Sequence, residues 1–578
     1  MSWFFGISKS SNYSNSISGS DDFHTEARYC VSLPNLYLAL GGIEETCLFE
    51  LTDDVEKSGW AVVGLGIQVN EIGARLLGKS DWREILSERE PQTNKLDGHF
   101  IALRWNKDGI ELFSDQLGLR TAYYSICDEA IYFSTRMDWV AQATKRNDLN
   151  LASVGSRWFL FNQLSFDSCV KGIERIGPNA NTVIKGNVIV TNESHPWLPE
   201  FDHDNSDNAI KILESLVDAS IHCNKIVSLG LSGGFDSRTV LAILMAIGID
   251  KFILHTFGHP FDPDVCIAKK IAHELELKLQ YFNDPFPDPQ SLLSMAQDFV
   301  TQNLLVEPAS SILRLRYYSQ QYAKGQMIID GGFGELSRRQ YMNRIVRFGK
   351  EALQTYDIEK LSILMRVSRA DIFNPEYTKE LEVAASHDLE TTLQQMPPIS
   401  EIGIENFVDL FSVRTRVPNF GGPEQTRSDS YIMNFMPLAQ PSFLKAVFKT
   451  DLNERKKGRF FRRIIKNHNK RLQHFPLVKS GTTYPFGFSS LTATLFTKTK
   501  NRFRHPFSDP IPDQFLLHLR DYVLDLVHSN DVKDWTGYDY RKVLTGVNAY
   551  YKGEHHLRPF VDWWLTFELW RRSLLGRQ

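Results

Sequence analysis

Residues 225–282 carry the pattern that most narrows what this chain can fold into. An apolar run, Lys225-Ile226-Val227-Ser228-Leu229-Gly230-Leu231, meets the turn Ser232-Gly233-Gly234-Phe235-Asp236-Ser237, and helical spacing follows from about Ser237 to Ile247. A second run, Phe252-Ile253-Leu254-His255-Thr256, leads to a helix near Val265–Leu275 and a third run near Leu279–Phe282. Apolar strands alternating with helices predict a parallel, doubly wound α/β sheet, because crossover helices cover both faces and leave the strands buried. A helix over Asn208–His222, with Ile210, Leu213, Leu216, Val217 and Ile221 on one side, precedes the first strand.

The pattern upstream is different. From about residue 28 to 195 the apolar runs are short and often alternate, as in His99-Phe100-Ile101-Ala102-Leu103-Arg104-Trp105. Turns are expected at Asp97-Gly98, Lys107-Asp108-Gly109 and Lys185-Gly186-Asn187, and the whole reads as an antiparallel α+β domain. Residues 9–22 read as a Ser-rich loop and residues 196–207, with Pro and acidic side chains, as a linker. The division expected is therefore 1–200 and 208–578, with amphipathic, aromatic-rich helices filling 340–578.

A chain of 578 residues, 42% hydrophobic, can bury several cores without disulfides or a structural metal. Its net charge of −4 gives no global reason to expect a nucleic-acid partner. The basic stretch Arg455–Arg471 is interleaved at helical spacing with Phe460, Phe461, Ile464, Ile465 and Leu472, which fits a packing helix. None of the six cysteines sits in a Cys-x-x-Cys pair, so they read as reduced thiols. The first residues lack a basic segment with a long apolar core, and no run approaches the roughly 18–20 apolar residues of a membrane span. A cytoplasmic protein with no membrane or nucleic-acid partner is the expectation.

The turn at 232–237 is the sharpest chemical signal. Two glycines bring backbone N–H groups against an anion, Ser232 and Ser237 add hydroxyls, and the next helix presents its positive end. Asp236 would repel a bare phosphate, so its presence makes sense with a bridging Mg²⁺. The turn resembles the pyrophosphatase loop of enzymes that cleave ATP between the α and β phosphates. That resemblance places ATP on Gly230, Leu231, Ser232, Gly233, Gly234, Asp236 and Ser237.

Further segments resemble the asparagine synthetase family, and with the amino-terminal half the resemblance covers nearly the whole chain. Met327-Ile328-Ile329 runs into Asp330-Gly331-Gly332-Phe333-Gly334-Glu335-Leu336, in place of the family's Ser-Gly-Glu-Gly-Ala/Ser-Asp-Glu. The match implies ATP contacts at Asp330 and Gly331, with Asp236 and Glu335 holding Mg²⁺. Gly332 stands where the family carries an acid–base residue, which leaves that role unassigned; Glu307, Asp429 and Tyr484 lie in or near matched segments as candidates. Val413-Arg-Thr-Arg-Val-Pro-Asn-Phe-Gly-Gly422 and Met436-Pro437-Leu438 are similar to the family's Arg-Val-Pro region. Lys479 matches the lysine that faces the α-phosphate, where a cation stabilises developing charge. Phe257 falls where adenine contacts arise. Phe560–Trp570 resembles the terminal helix and reads as a packing element.

Leu96–Leu103, Phe113–Arg120, Ala122-Tyr123-Tyr124 and Ile131–Ser134 resemble the family's class II glutamine amidotransferase domain, of Ntn-hydrolase type. The family's nucleophilic Cys at position 2 is Ser2 here, and its Arg-Gly and Asn-Gly-Glu glutamine-pocket motifs have no counterpart between residues 25 and 95. The same loss marks β-lactam synthetases and lasso-peptide cyclases. The expected function is an ATP-dependent, AMP-forming ligase joining a small-molecule or peptide carboxylate to an amine or ammonia; a homodimer is compatible with it. An asparagine synthetase, a catalytically silent relative and a tRNA-modifying enzyme are the alternatives.

Overall fold

In the computed structural model residues 2–10, 27–53, 55–201, 206–223, 225–367, 369–503 and 505–576 are described. The expected Ser-rich loop from residue 11 onward and residues 202–205 of the expected linker lie outside them.

The first third is a stack of two antiparallel sheets. One has six strands in the order Glu174–Arg175, Tyr123–Cys127, Ala130–Ser134, Trp3–Lys9, Leu36–Gly41, Tyr29–Ser32. The other has seven, running from Val188–Ser194 through Ala180–Lys185, Gly109–Ser114, Asp97–Asn106 and Ser58–Val69 to Cys47–Asp53, with Ala74–Leu76 paired to Ser58–Val69. Alternation along each strand explains the layering. Phe4, Leu38, Leu40, Ala61, Val63, Ile101 and Leu103 face inward between the sheets. Trp3, Phe5, Ile7 and Tyr37 face outward and pack with Trp139 of the helix Met137–Thr144. Trp60, Val62, Phe100 and Ala102 do the same with Trp82 of the helix Lys79–Ser87. The result is helix, sheet, sheet, helix, the antiparallel α+β architecture expected.

One turn expectation is corrected. Asp97-Gly98 is not a turn but the start of the strand Asp97–Asn106, with Gly98 opposite Gly66. Gly98 has φ +116°, and a Cβ there would lie 2.1 Å from the carbonyl oxygen of Leu65, so glycine answers to a close strand approach. The turns at Lys107–Gly109 and Lys185–Asn187 do join hairpins.

The parallel sheet appears as expected. Its order is Leu279–Phe282, Phe252–Phe257, Ile226–Gly230, Gln326–Ile329, Asn434–Phe435, all pairs parallel. The helices Ser206–Ile221, Asp236–Ile247, Pro263–Glu274 and Arg459–His468 are present. Met327 and Ile329 enter one core while Ile328 enters another, so both faces of the sheet are covered. Phe460, Phe461, Ile464 and Ile465 of the basic helix are buried, as its spacing predicts.

The two parts share cores. Tyr123, Val154 and Trp158 pack in one cluster with Phe299, Trp564 and Trp570 of the later chain. The helix Leu151–Phe159 lies on Pro375–Gln394 so closely that a Cβ on Gly155 would sit 2.3 Å from the Leu381 carbonyl oxygen. The expected linker is likewise no free tether. Trp197 is buried edge-on against Phe448 at 5.6 Å, and its carbonyl accepts from Arg414 Nε at 2.9 Å. Among the described residues no helix is long and apolar enough to cross a membrane.

Candidate functional site

The strand Ile226–Gly230 ends where the chain must turn into the helix Asp236–Ile247, and the turn 232–237 does this by folding on itself. Ser232 N–H donates to Ser237 Oγ at 3.2 Å, and Gly234 N–H donates to Ser232 Oγ at 3.2 Å. Gly233 N–H donates to the Asp264 carboxylate at 2.7 Å. Among the described residues no side chain caps the helix that follows, so the donors of its first turn face the bend without a side-chain cap. An uncapped helix start beside two serine hydroxyls suits a phosphate. Gly230 and Leu231 lead into the turn, with Leu231 N–H bonded to the His255 carbonyl at 2.9 Å.

Tertiary packing brings two other segments to this turn. Gly331 lies where a Cβ would come within 2.5 Å of Ser237 N, and a Cβ on Gly334 would reach 2.2 Å from an Asp236 oxygen. Glycine is therefore what allows 330–335 to lie on 236–237. The hairpin Leu477–Lys479/Thr482–Tyr484 meets the turn from the other side, with Val478 N–H donating to the Gly233 carbonyl at 3.0 Å. Arg238, fully buried, anchors that hairpin by donating to the carbonyls of Phe475 and Pro476 at 2.8 Å each. The expected neighbours Asp236, Asp330, Gly331, Glu335 and Lys479 thus all belong to segments that meet at the loop. Phe257 ends the adjacent strand and lines a cleft of about 740 Å³ with His259, Tyr317 and Trp563.

Charges in this place are paired in a way the sequence reading did not anticipate. Both Asp236 oxygens accept from Arg338, Nε at 2.8 Å and Nη2 at 2.6 Å. Burial pushes the Asp236 carboxyl upward, Arg338 opposes that, and Glu335 and Asp330 add to it. Glu335 itself has Arg416 Nε at 3.5 Å, and the Arg416 guanidinium lies 3.4 Å from the centre of the Phe420 ring. No group of three or more His, Cys, Asp or Glu among the described residues could hold a metal ion. The N–H groups of Ser232, Gly233 and Gly234 donate within the protein, and the Asp236–Glu335 pair, each carboxylate with its own arginine, does not fit a bridging Mg²⁺. Lys479 donates to Thr494 Oγ1 at 2.7 Å, and burial, with Arg347 nearby, lowers its ammonium pKa.

Two of the three candidate bases are structural. Glu307 is paired with Arg427 at 2.9 Å. Asp429 is fully buried, accepting from Arg120 Nη1 at 2.6 Å and lying 3.2 Å from His99 Nε2. Tyr484 stays at the site, its phenol pushed up by burial against the pull of Arg338, Arg462 and Arg238. Ser2 is enclosed: its hydroxyl bonds to Thr46 Oγ1 and its carbonyl accepts from Arg120 Nη2. Arg338, Arg238 and Asp264 were missed. Arg338 stands three residues after Glu335, two past the end of the Asp330–Leu336 segment, a nearness that could have found it.

Against known proteins, no protein-family model matches the chain, and no curated protein does. Among solved structures it is similar to the allosteric regulatory enzyme of purine biosynthesis, at 9% identity and a TM-score of 0.21, over 40% of this chain and 54% of that one. The chain thus spans about half the length of that structure. It is also similar to glutamine phosphoribosylpyrophosphate amidotransferase from B. subtilis complexed with ADP and GMP, at 9% identity and a TM-score of 0.19, over 57% of this chain and 75% of that one. Likenesses this low fix neither a family nor an activity.

Proposed function

We propose that the protein is an ATP-dependent carbon–nitrogen ligase of asparagine synthetase type. A substrate carboxylate oxygen attacks the α-phosphorus, the bond to the β-phosphate breaks and pyrophosphate leaves. An amine nitrogen then attacks the activated carbonyl carbon, AMP leaves, and the nitrogen loses a proton. Ser232, Gly233, Gly234, Ser237 and the start of the helix Asp236–Ile247 hold the phosphates; Asp330 and Gly331 close over them. Lys479 supplies positive charge where negative charge builds up, worth most in a site that excludes water. The observation that carries the reading is the uncapped helix start behind Ser232–Ser237, closed on two sides by segments far apart in the chain.

Ser2, buried and bonded through both its hydroxyl and its carbonyl, favours ammonia or a substrate amine over glutamine as nitrogen donor. A second reading, a nucleotide-binding protein without turnover, is favoured by the Arg338 fork on Asp236. Pyrophosphate release across a panel of carboxylates and amines separates the two. Release that requires the carboxylate, is sustained over many turnovers only with the amine, and is abolished in Asp236→Ala supports the ligase. ATP binding with no release from any pair supports the second reading, and no ATP binding at all sinks both.

A further inference from the structure

The two carboxylates that the family resemblance assigns to a metal are each matched with an arginine, and the arginine at Asp236 is held from several sides. Its fork on Asp236 is bidentate, the geometry in which a guanidinium binds a carboxylate most strongly. Its third nitrogen, Nη1, donates to Gln340 Oε1. Its guanidinium carbon lies 5.7 Å from the Phe235 centroid and 5.8 Å from that of Phe461. Three of its five N–H donors are committed by these bonds, and two remain for a ligand oxygen.

A second guanidinium faces the same loop. Arg462 lies 4.6 Å from the Phe235 centroid and 5.0 Å from that of Phe486. Its Nη2 donates to the Phe488 carbonyl at 2.6 Å, while its Nη1 is buried and makes no hydrogen bond among the described residues. A buried donor without a partner is costly, and two guanidinium groups beside one phenyl ring repel each other. One oxyanion between them would relieve both. Phe235 belongs to the phosphate turn itself, so the two cations stand at that turn.

We infer that Arg338 and Arg462 form a metal-independent polyphosphate clamp, in which the Arg338 guanidinium takes the place of a divalent cation at Asp236. The inference rests on the nucleotide reading above and adds to it how the phosphates are neutralised. A Mg²⁺ ion needs carboxylate oxygens at about 2.0–2.1 Å in near-octahedral geometry. While the fork is in place each Asp236 oxygen already faces a cation that repels a second one, whereas the guanidinium there can hand its free N–H groups to phosphate oxygens.

The test is equilibrium binding of N-methylanthraniloyl-ATP to the full-length, metal-stripped protein, with EDTA and with Mg²⁺. Wild type should bind in EDTA within about threefold of its affinity in Mg²⁺, and Arg338→Met and Arg462→Met should each weaken the EDTA value at least about tenfold, as for loss of one charge-assisted contact. Electron paramagnetic resonance of Mn²⁺ without nucleotide should show no bound ion in wild type. Because Arg338→Met leaves Asp236 unpaired, the double variant Arg338→Met/Asp236→Asn serves where the single one fails to fold; it should bind the probe weakly in EDTA and gain nothing from Mn²⁺. Binding that requires a divalent ion, or Mn²⁺ bound by wild type and lost in Asp236→Asn, overturns the clamp while leaving the nucleotide reading intact. No probe bound under either condition overturns the nucleotide reading and the clamp with it.

Discussion

Replacing Asp429 by Ala should be among the most damaging single changes in this chain. The carboxylate is wholly inaccessible and gathers Arg120 Nη1 at 2.6 Å, Asn434 Nδ2 at 2.8 Å and the His99 ring at 3.2 Å. Arg120 is equally inaccessible, and burial already lowers its guanidinium pKa against the opposing pull of Asp429. Without Asp429 that cation keeps, among the described residues, one hydrogen bond, from Nη2 to the Ser2 carbonyl, and the weaker pull of Asp115. Stranding a buried ion in this way costs on the order of 3–5 kcal/mol. Urea denaturation followed by tryptophan fluorescence should therefore lose that much in the first unfolding transition. The double variant Asp429→Leu/Arg120→Met, which removes both charges and keeps apolar volume, should recover at least about 1 kcal/mol of the loss, because replacing a buried pair is far milder than breaking it. A loss below about 1 kcal/mol in Asp429→Ala, or a double variant no better than the single one, would refute the reasoning. Arg120 and His99 come from the antiparallel part and Asp429 from the later chain, so the same experiment reports how firmly the two are joined.

Gly331→Ala should cost roughly 1–3 kcal/mol and weaken ATP binding, because its Cβ would press on the backbone of Ser237 and Asp236 at 2.5 and 2.7 Å. Gly332→Ala, whose tightest contact is the flexible Met436 sulfur at 3.3 Å, with an Asp330 oxygen at an ordinary 3.6 Å, should be tolerated; urea melts and nucleotide titration of the two variants side by side check this. Burial raises the Asp562 carboxyl to about 6, against hydrogen bonds from Ser310. The folded state then holds a proton that the unfolded chain releases near pH 4, so this group's contribution to stability falls as pH rises from about 4 to 6, by up to roughly 3 kcal/mol. Thermal melts across that range should be flatter in Asp562→Asn; an unchanged slope would assign the pH dependence to Asp97 and Asp115, also raised to about 6 by burial.

Much of the fold was legible because its signals are local. The strand Ile226–Gly230, the helix Asp236–Ile247 and the strand Leu279–Phe282 follow from apolar periodicity within a few residues of each other. The error at Asp97-Gly98 arose where a local signature had a distant cause. Asp97-Gly98 has the composition of a turn, yet Gly98 is needed because the Leu65 carbonyl approaches it across the sheet. Residues 196–201 have the composition of a linker, yet Phe448 and Arg414 hold Trp197 down. The site shows the same division. Ser232 to Ser237 are legible as a glycine- and serine-rich turn from their own residues, while the roles of Glu307 and Asp429 depend on Arg427, Arg120 and His99.

By itself the sequence determined the antiparallel and parallel parts, the Gly-Ser turn between strand and helix, and a serine at position 2, because each is written in consecutive residues and their periods. Only the tertiary structure decided the electrostatics of the site. It set Arg338 on Asp236, Arg416 beside Glu335 and Arg120 on Asp429, partners separated by 102, 81 and 309 positions. A carboxylate's chemistry depends on the charge a few ångströms away, and which cation stands there is fixed by packing across the chain.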